Sequence, residues 1–373
     1  MDLFTPLVNE DKLHPLFKKI IGEKSYEPTI KVINGWSEGL LGRKKEAKKF
    51  IIEFQTTFNS SLWELYLNKS FIDLGFKIDY SKESPDFHLI HSTGKLINVE
   101  AVTANNELNK NEEYYSSSSF NESTKTSNDD FLNQSTIKLI GKLKDKRDLF
   151  TGRDNKKHPY SSLKHVNNNP FVVAVAPFDD LLSYGQNNIA INRVLYGIMK
   201  NERISHILNR NGKRINVGIF TNDSYKEISA VIFSTTGMFG KAVVQAGISS
   251  FIKATKYREF KLSEFIVKEG IDKLGASYTQ LNNESDVYSL RLRFDNLVCG
   301  SDTYIYDSSH HMETHLDGLH IYYNPFAQIP LNKNLFSAHE LTQNDYDIRS
   351  RQMICKYNDG SLISRQTFTA GFT

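Results

Sequence analysis

The stretch Ser84-Pro85-Asp86-Phe87-His88-Leu89-Ile90-His91-Ser92-Thr93-Gly94-Lys95-Leu96-Ile97-Asn98-Val99-Glu100-Ala101-Val102 decides how the rest of the chain is read. Two strand-like runs flank Ser92-Thr93-Gly94, which makes a three-residue hairpin loop when Gly94 takes the left-handed conformation. That loop sets His91 opposite Lys95 and Asp86 directly opposite Glu100. Side chains alternate along a strand, so Phe87, Leu89, Ile97, Val99 and Ala101 share an apolar face, while Asp86, His88, Asn98 and Glu100 share a polar one. A two-residue loop without a compensating bulge would put the two acids on opposite faces.

Two carboxylates held side by side on a hairpin repel each other unless a cation lies between them. Oxygen ligands with open positions suit Mg²⁺, with Mn²⁺ as a substitute. Such an ion activates water and stabilises charge building on a phosphate oxygen, so phosphodiester hydrolysis follows from the pair. The competing reading of the hairpin alone is that Asp86 caps a turn after Pro85 and Glu100 is a solvated strand residue.

Glu64 stands in the helix before the hairpin, where apolar Trp63, Leu67, Phe71 and Leu74 recur at helical spacing after a break near Asn59-Ser60-Ser61. It has two compatible roles: facing the polar side of the hairpin, or closing the capping box Ser61-Leu62-Trp63-Glu64. Working outward, strands are expected at Phe76 to Ser81, Asp86 to His91 and Leu96 to Thr103. A polar tract, 105–131, follows as an insertion, and a basic helix begins at Gln134. The unalternating run Pro170 to Phe178 reads as a strand buried on both faces. Further strands are expected at Ile215 to Thr221, Ser229 to Ser234, Tyr288 to Phe294 and Leu319 to Tyr323, and helices near Ile189 to Leu208 and Leu262 to Leu274. Helix, three-strand meander, helix and central strand make an α/β order. The division is an irregular or partly helical lead-in, 1–50, a core, 51–180, and a C-terminal α/β extension, 181–373.

Over about residues 55 to 180, this order resembles the PD-(D/E)XK, or restriction-endonuclease-like, nuclease superfamily. The resemblance rests on Glu64 in its helix, the literal Pro85-Asp86, the hairpin to Glu100, the basic helix and the strand Phe171 to Ala176. It implies a restriction-endonuclease-like core with a mixed sheet extended by the C-terminal region. It also implies that Asp86 and Glu100 bind the divalent ion and that Glu64 supports it or orients water. The lysine of the pattern, two residues after the second acid, is replaced by Val102. The resemblance allows this cation to come from the following helix, where Lys142 or Lys138 is the candidate catalytic substitute.

Lys plus Arg number 46 against 43 Asp plus Glu, a formal charge of +3, so any contact with a polyanion must be local. Gln134, Lys138, Lys142, Lys144, Lys146, Arg147 and Lys241 are the expected nucleic-acid contacts, each adding salt-sensitive affinity where it meets a phosphate. Cys299 and Cys355 are too few and too far apart for a disulfide framework or a close-set zinc site. With no basic-then-apolar leader and no run of about 18 apolar residues, a cytoplasmic protein with no membrane partner is expected. A homodimer or a partner protein is compatible with the sequence.

Gly240-Lys241 is not a phosphate loop, because Thr235 stands at the first glycine position and Ala242 at the hydroxyl position. His310, His311, Glu313, His315, Asp317 and His320 are the densest group of potential metal ligands, read either as a polar loop or as a second metal site. Tyr304, Tyr306, Tyr322 and Tyr323 read as sheet packing. The leading expectation is an Mg²⁺-dependent endonuclease acting on DNA, in restriction, phage defence or repair. The alternatives are a catalytically inactive nucleic-acid-binding or interaction module of the same fold, and a small-phosphoester hydrolase using the histidine tract.

Overall fold

The computed structural model describes residues 2–42, 46–104, 128–153, 158–177, 186–199, 202–209, 211–257, 276–282, 288–294 and 301–369, with the backbone alone at 128–129, 276–282 and 288–294. Four helices, α1 (Pro15–Gly22), α2 (Glu27–Trp36), α3 (Ala47–Thr57) and α4 (Asn59–Asp73), lead into β1 (Lys77–Ile78), β2 (Phe87–Ile90) and β3 (Leu96–Thr103). Next come α5 (Asn128–Thr151), β4 (Phe171–Ala176) and α6 (Ile189–Tyr196). Two short hairpins follow, β5 (Ile198–Met199) with β6 (Glu202–Arg203) and β7 (His206–Leu208) with β8 (Arg214–Asn216). The chain continues through β9 (Ala230–Phe233), α7 (Phe239–Gln245), β10 (Ser250–Tyr257), β11 (Ala276–Asn282), β12 (Tyr288–Phe294) and β13 (Ser301–Asp307). It closes with β14 (His320–Tyr323), β15 (Thr342–Asp347), β16 (Gln352–Lys356) and β17 (Leu362–Thr369).

An eight-stranded mixed sheet runs β1-β2-β3-β4-β9-β14-β15-β16, with β3, β4 and β9 mutually parallel at its centre. All six residues of β4 are buried, which accounts for its unalternating apolar sequence. Val172, Ala174 and Ala176 belong to the core that holds Leu62, Trp63 and Tyr66 of α4. Phe171, Val173 and Val175 belong to the core of the other face, with Leu139 and Leu143 of α5 and Ile191 and Leu195 of α6. Each of the valine, leucine, isoleucine and phenylalanine side chains among them, fully removed from water, contributes about 1.5–3 kcal/mol. The second sheet is antiparallel, in the order β11-β12-β13-β10-β17.

The chain is therefore α/β, and residues from beyond 181 extend the sheet through β9, β14, β15 and β16. The lead-in is more ordered than expected. Leu3, Phe4, Phe17 and Ile20 enter the α4 core, and Gln55 Nε2 donates to the Leu3 and Thr5 carbonyls at 3.0 and 2.8 Å. The break before α4 falls at Phe58, whose φ is +29°. Its ring is wholly buried beside Phe54 at 5.0 Å, and this packing holds an unfavourable backbone.

The helix expected to reach Leu208 stops at Tyr196, because Gly197 (φ +66°) forms a left-handed C-cap that turns the chain into β5. The strand expected over Ile215 to Thr221 is reduced to Arg214–Asn216. The basic helix begins earlier than Gln134, at Asn128. The expected helix Leu262 to Leu274 and most of the polar tract lie outside the described residues. Among the described residues, no helix is long and apolar enough to cross a membrane.

Candidate active site

The hairpin has the register derived from its loop. Phe87 pairs with Val99, His88 with Asn98, Leu89 with Ile97 and Ile90 with Leu96. His91 N donates to the Lys95 carbonyl at 2.9 Å, and Gly94 turns at φ +79°. Extending this register sets Asp86 across from Glu100. The apolar set faces α4, whereas Glu100 lies on the side of the sheet covered by α5.

Backbone bonding explains how Asp86 is aimed. Even-numbered residues of β3 bond toward β4, as Asn98 N does to the Pro170 carbonyl at 3.0 Å and Ala104 N to the Ala176 carbonyl at 2.9 Å. Odd-numbered residues therefore face β2, and the ladder ends where β2 begins, at Phe87. The N–H of Ala101 is the next donor on that edge, and it is taken by Asp86 Oδ2 at 2.7 Å. The aspartate thus replaces a ladder bond, and its carboxylate is held against β3.

Glu100 is 4% exposed. Lys146 Nζ donates to its Oε1 at 2.7 Å, and the Tyr160 hydroxyl lies 3.4 Å from the same oxygen. Oε2 is buried with no hydrogen-bond partner among the described residues. Burial pulls the Lys146 ammonium down, but the Glu100 and Asp86 carboxylates, the hydrogen bond to Glu100 and the charge of Glu64 outweigh it and raise its pKa above the usual lysine value. Lys146 is thus a fixed positive charge at neutral pH, and the three acids singled out in the sequence all act on its one ammonium group. Burial, then Glu100 and Asp86, push the Tyr160 phenol well up, so it stays protonated and can donate to Glu100.

Glu64 sits inside α4, partly buried. The capping box does not form: α4 starts at Asn59, its N-cap position is Phe58 with no side-chain cap, and Ser61 is already helical and buried. The polar side of the hairpin also carries His88 and Asn98, next to His165 of the segment before β4. His88 Nδ1–H donates to Asn98 Oδ1 at 2.8 Å, and His165 Nε2–H donates to the Ser84 carbonyl at 2.7 Å.

The lysine bonded to Glu100 is Lys146, which the sequence offered as a nucleic-acid contact and not as the catalytic substitute. Lys138 and Lys142 share the α5 stripe at intervals of four with Gln134 and Lys146; all four are partly buried, Lys138 and Lys142 have interactions of their own, and Lys146 pairs with Glu100. Lys146 is the turn of α5 that reaches Glu100. Its expected role as a backbone contact is corrected, because its side chain is only 19% exposed and is paired. Arg147 is similarly engaged, donating to Glu227 at 2.8 and 3.3 Å with its guanidinium over the Tyr225 ring. Lys144 remains at the surface, paired with Asp148 at 2.7 Å.

Lys241 is removed from the nucleic-acid set altogether. It is wholly buried, 3.1 Å from Glu313, and donates to the Thr314 and Asp317 carbonyls at 3.0 and 2.8 Å. The histidine tract is the loop expected before the strand at Leu319, with 311–319 running into β14, but several of its polar side chains are buried and paired, and no three of them are grouped to hold a metal. Glu313 also accepts from Arg365 at 2.9 Å and pairs with His311 Nε2 at 2.7 Å, while His311 Nδ1 meets the Tyr306 hydroxyl at 2.7 Å. His315 turns the other way, to the Tyr66 carbonyl at 3.0 Å and to Gln245 at 3.2 Å. This is an ionic joint that fastens β17 and β13 to α7.

Among the described residues, no three His, Cys, Asp or Glu side chains are grouped to hold a metal. Asp86 and Glu100 form a pair, and an ion held there would take its other ligands from water and substrate, as Mg²⁺ commonly does. The buried, unpartnered Glu100 Oε2 and the all-oxygen donor set fit such an ion. No protein-family model, no curated protein and no solved structure matches the chain.

Proposed function

We propose that the chain is a divalent-metal-dependent nuclease with a PD-(D/E)XK-like site, hydrolysing phosphodiester bonds of DNA. The observation that carries this reading is Lys146 at 2.7 Å from Glu100, within the field of Asp86 and Glu64. A cation missing beside the second acid at Val102 is supplied from the following helix. Asp86 and Glu100 would hold Mg²⁺, or Mn²⁺ in its stead, and the bound ion would supply Lewis-acid activation of water and charge neutralisation. Lys146, kept positive, steadies the negative charge that grows on the phosphate oxygens as the P–O bond breaks. Glu64 accepts a hydrogen bond from the attacking water and orients it. The α5 stripe of Lys138 and Lys142 provides backbone contacts that lead toward the acids.

Supercoiled plasmid DNA incubated with the purified protein and Mg²⁺ is expected to be cleaved. EDTA and Glu100→Ala should each abolish the cutting. Stable protein that binds Mn²⁺ yet cuts neither DNA nor RNA would overturn the proposal.

A second reading, a catalytically inactive binding module of the same fold, draws on the same ion pair. Lys146 already neutralises Glu100, and among the described residues no three His, Cys, Asp or Glu side chains are grouped to hold a metal. In that case Asp86→Asn leaves DNA association and biological activity intact, whereas loss of the α5 lysines weakens association.

A further inference from the structure

Between α5 and β4 the chain passes over the candidate site as a strap, residues 159–169. Its first residues form a single 3-10 turn, Tyr160–Ser162, after Pro159. The Tyr160 ring packs edge-on against Phe171, with centroids 6.5 Å apart, and Phe150 stacks on that same ring at 4.5 Å. Val166 is wholly buried. The strap is therefore packed in place, and two of its polar groups are aimed at the elements that carry the acids.

The Tyr160 hydroxyl lies 3.4 Å from Glu100 Oε1 and also interacts with the Ser84 side chain. His165 donates from Nε2 to the Ser84 carbonyl at 2.7 Å, two residues before Asp86, while its own carbonyl accepts from Asn98 at 3.4 Å and from Asn169 at 3.2 Å. One segment thus touches both the turn before Asp86 and the strand that bears Glu100.

We infer that Tyr160 and His165 are positioning residues of the metal site: Tyr160 and Lys146 together hold Glu100 Oε1, leaving Oε2 for the cation, and His165 fixes the turn that presents Asp86. This rests on the reading of Asp86 and Glu100 as cation ligands. Two donors on one oxygen fix the plane of the carboxylate, so its other oxygen stays in one place. Outer partners of this kind set metal affinity through the ligand they orient, and their loss typically costs about 10–100-fold.

The test is Mn²⁺ binding, followed by electron paramagnetic resonance and titration calorimetry on the full chain, with thermal unfolding in EDTA measured alongside. Tyr160→Phe keeps the ring on Phe171 and removes only the hydroxyl. It should weaken Mn²⁺ binding about 10-fold, leave the metal-free unfolding temperature unchanged, and raise the Mg²⁺ concentration needed for half-maximal cleavage by the same factor without lowering the rate at saturation. His165→Gln, which retains a side-chain donor, should weaken binding less than His165→Ala.

Wild-type protein that binds Mn²⁺, with Tyr160→Phe binding equally well, would overturn the inference and leave the nuclease reading standing. A matching loss of metal-free stability in both Tyr160→Phe and His165→Ala, with unchanged Mn²⁺ affinity in the folded fraction, would mark the strap as packing only and also overturn it. Wild-type protein that binds no Mn²⁺ overturns both.

Discussion

Lys146 Nζ and Glu100 Oε1 stand 2.7 Å apart, joining the C-terminal part of α5 to the centre of β3 across the polar face of the hairpin. Glu100 has 5% and Lys146 19% of its side chain exposed, so neither charge can be left to bulk water. Lys146→Met should reduce cleavage by about 10²–10³-fold and destabilise the metal-free protein by about 3 kcal/mol, because a buried carboxylate loses its partner. Added Mg²⁺ should restore part of that stability, since a ligand that binds only the folded state shifts unfolding by mass action. Urea unfolding with and without Mg²⁺ measures both effects. A variant as stable as wild type, or one indifferent to Mg²⁺, would count against an ion between the acids.

The α5 stripe makes a separate forecast about DNA. Lys138→Ala and Lys142→Ala should each weaken binding across unrelated sequences and reduce the slope of log affinity against log salt by about 1. Lys241→Met should leave that slope unchanged, because its ammonium is enclosed by Glu313 and two carbonyls. Fluorescence anisotropy over a salt series distinguishes the two classes. Equal slopes for wild type and the Lys138/Lys142 double variant would remove this helix from the interface.

Glu313 holds Lys241, Arg365 and His311 together with their side chains buried from solvent. Arg365 and Lys241 keep its carboxyl well below the usual carboxylate range against the opposing effect of burial. Glu313→Ala leaves two buried cations unbalanced and should cost about 3–5 kcal/mol, read as a fall in the urea midpoint. Metal content should not change. Loss of a bound metal on His311→Ala with His315→Ala would instead restore the tract as a metal site.

Acid should loosen the fold before it titrates most carboxylates. Burial, opposed by the hydrogen bond to the Tyr66 carbonyl, lowers the pKa of His315 to about 3, and burial lowers that of His320 to about 4. In the unfolded chain both imidazoles take up a proton near pH ~6.5. The unfolded state therefore binds more protons in the window between about 6.5 and 4, and stability falls as pH drops through it. Above that window the contribution is complete. His320→Phe should flatten the decline of the urea midpoint between about pH 7 and pH 4.5; an unchanged profile would show that these rings do not govern acid sensitivity.

Local chemistry made the hairpin legible. A three-residue loop closed by Gly94 can pair its strands in one register only, and alternation then assigns every side chain to a face, so Phe87 pairs with Val99 and His88 with Asn98 as derived. The buried central strand was legible for a similar reason, because two covered faces leave no place for a polar residue over Phe171–Ala176. The end of α6 was missed although Gly197 signals it, since the apolar pattern continues past the glycine.

What the chain alone determined is the register of the hairpin and the absence of a lysine at Val102. Which lysine pairs with Glu100 was decided by tertiary structure. Lys138, Lys142 and Lys146 repeat every four residues on one helix stripe, so sequence spacing cannot rank them. The ranking comes from how far α5 slides along the sheet, and that is set by Leu139 and Leu143 seating in the core of β4 and α6. The same holds for Lys241 and the histidine tract: a lysine, a glutamate and an arginine from α7, a loop and β17 become one buried ionic joint only after distant segments have packed together.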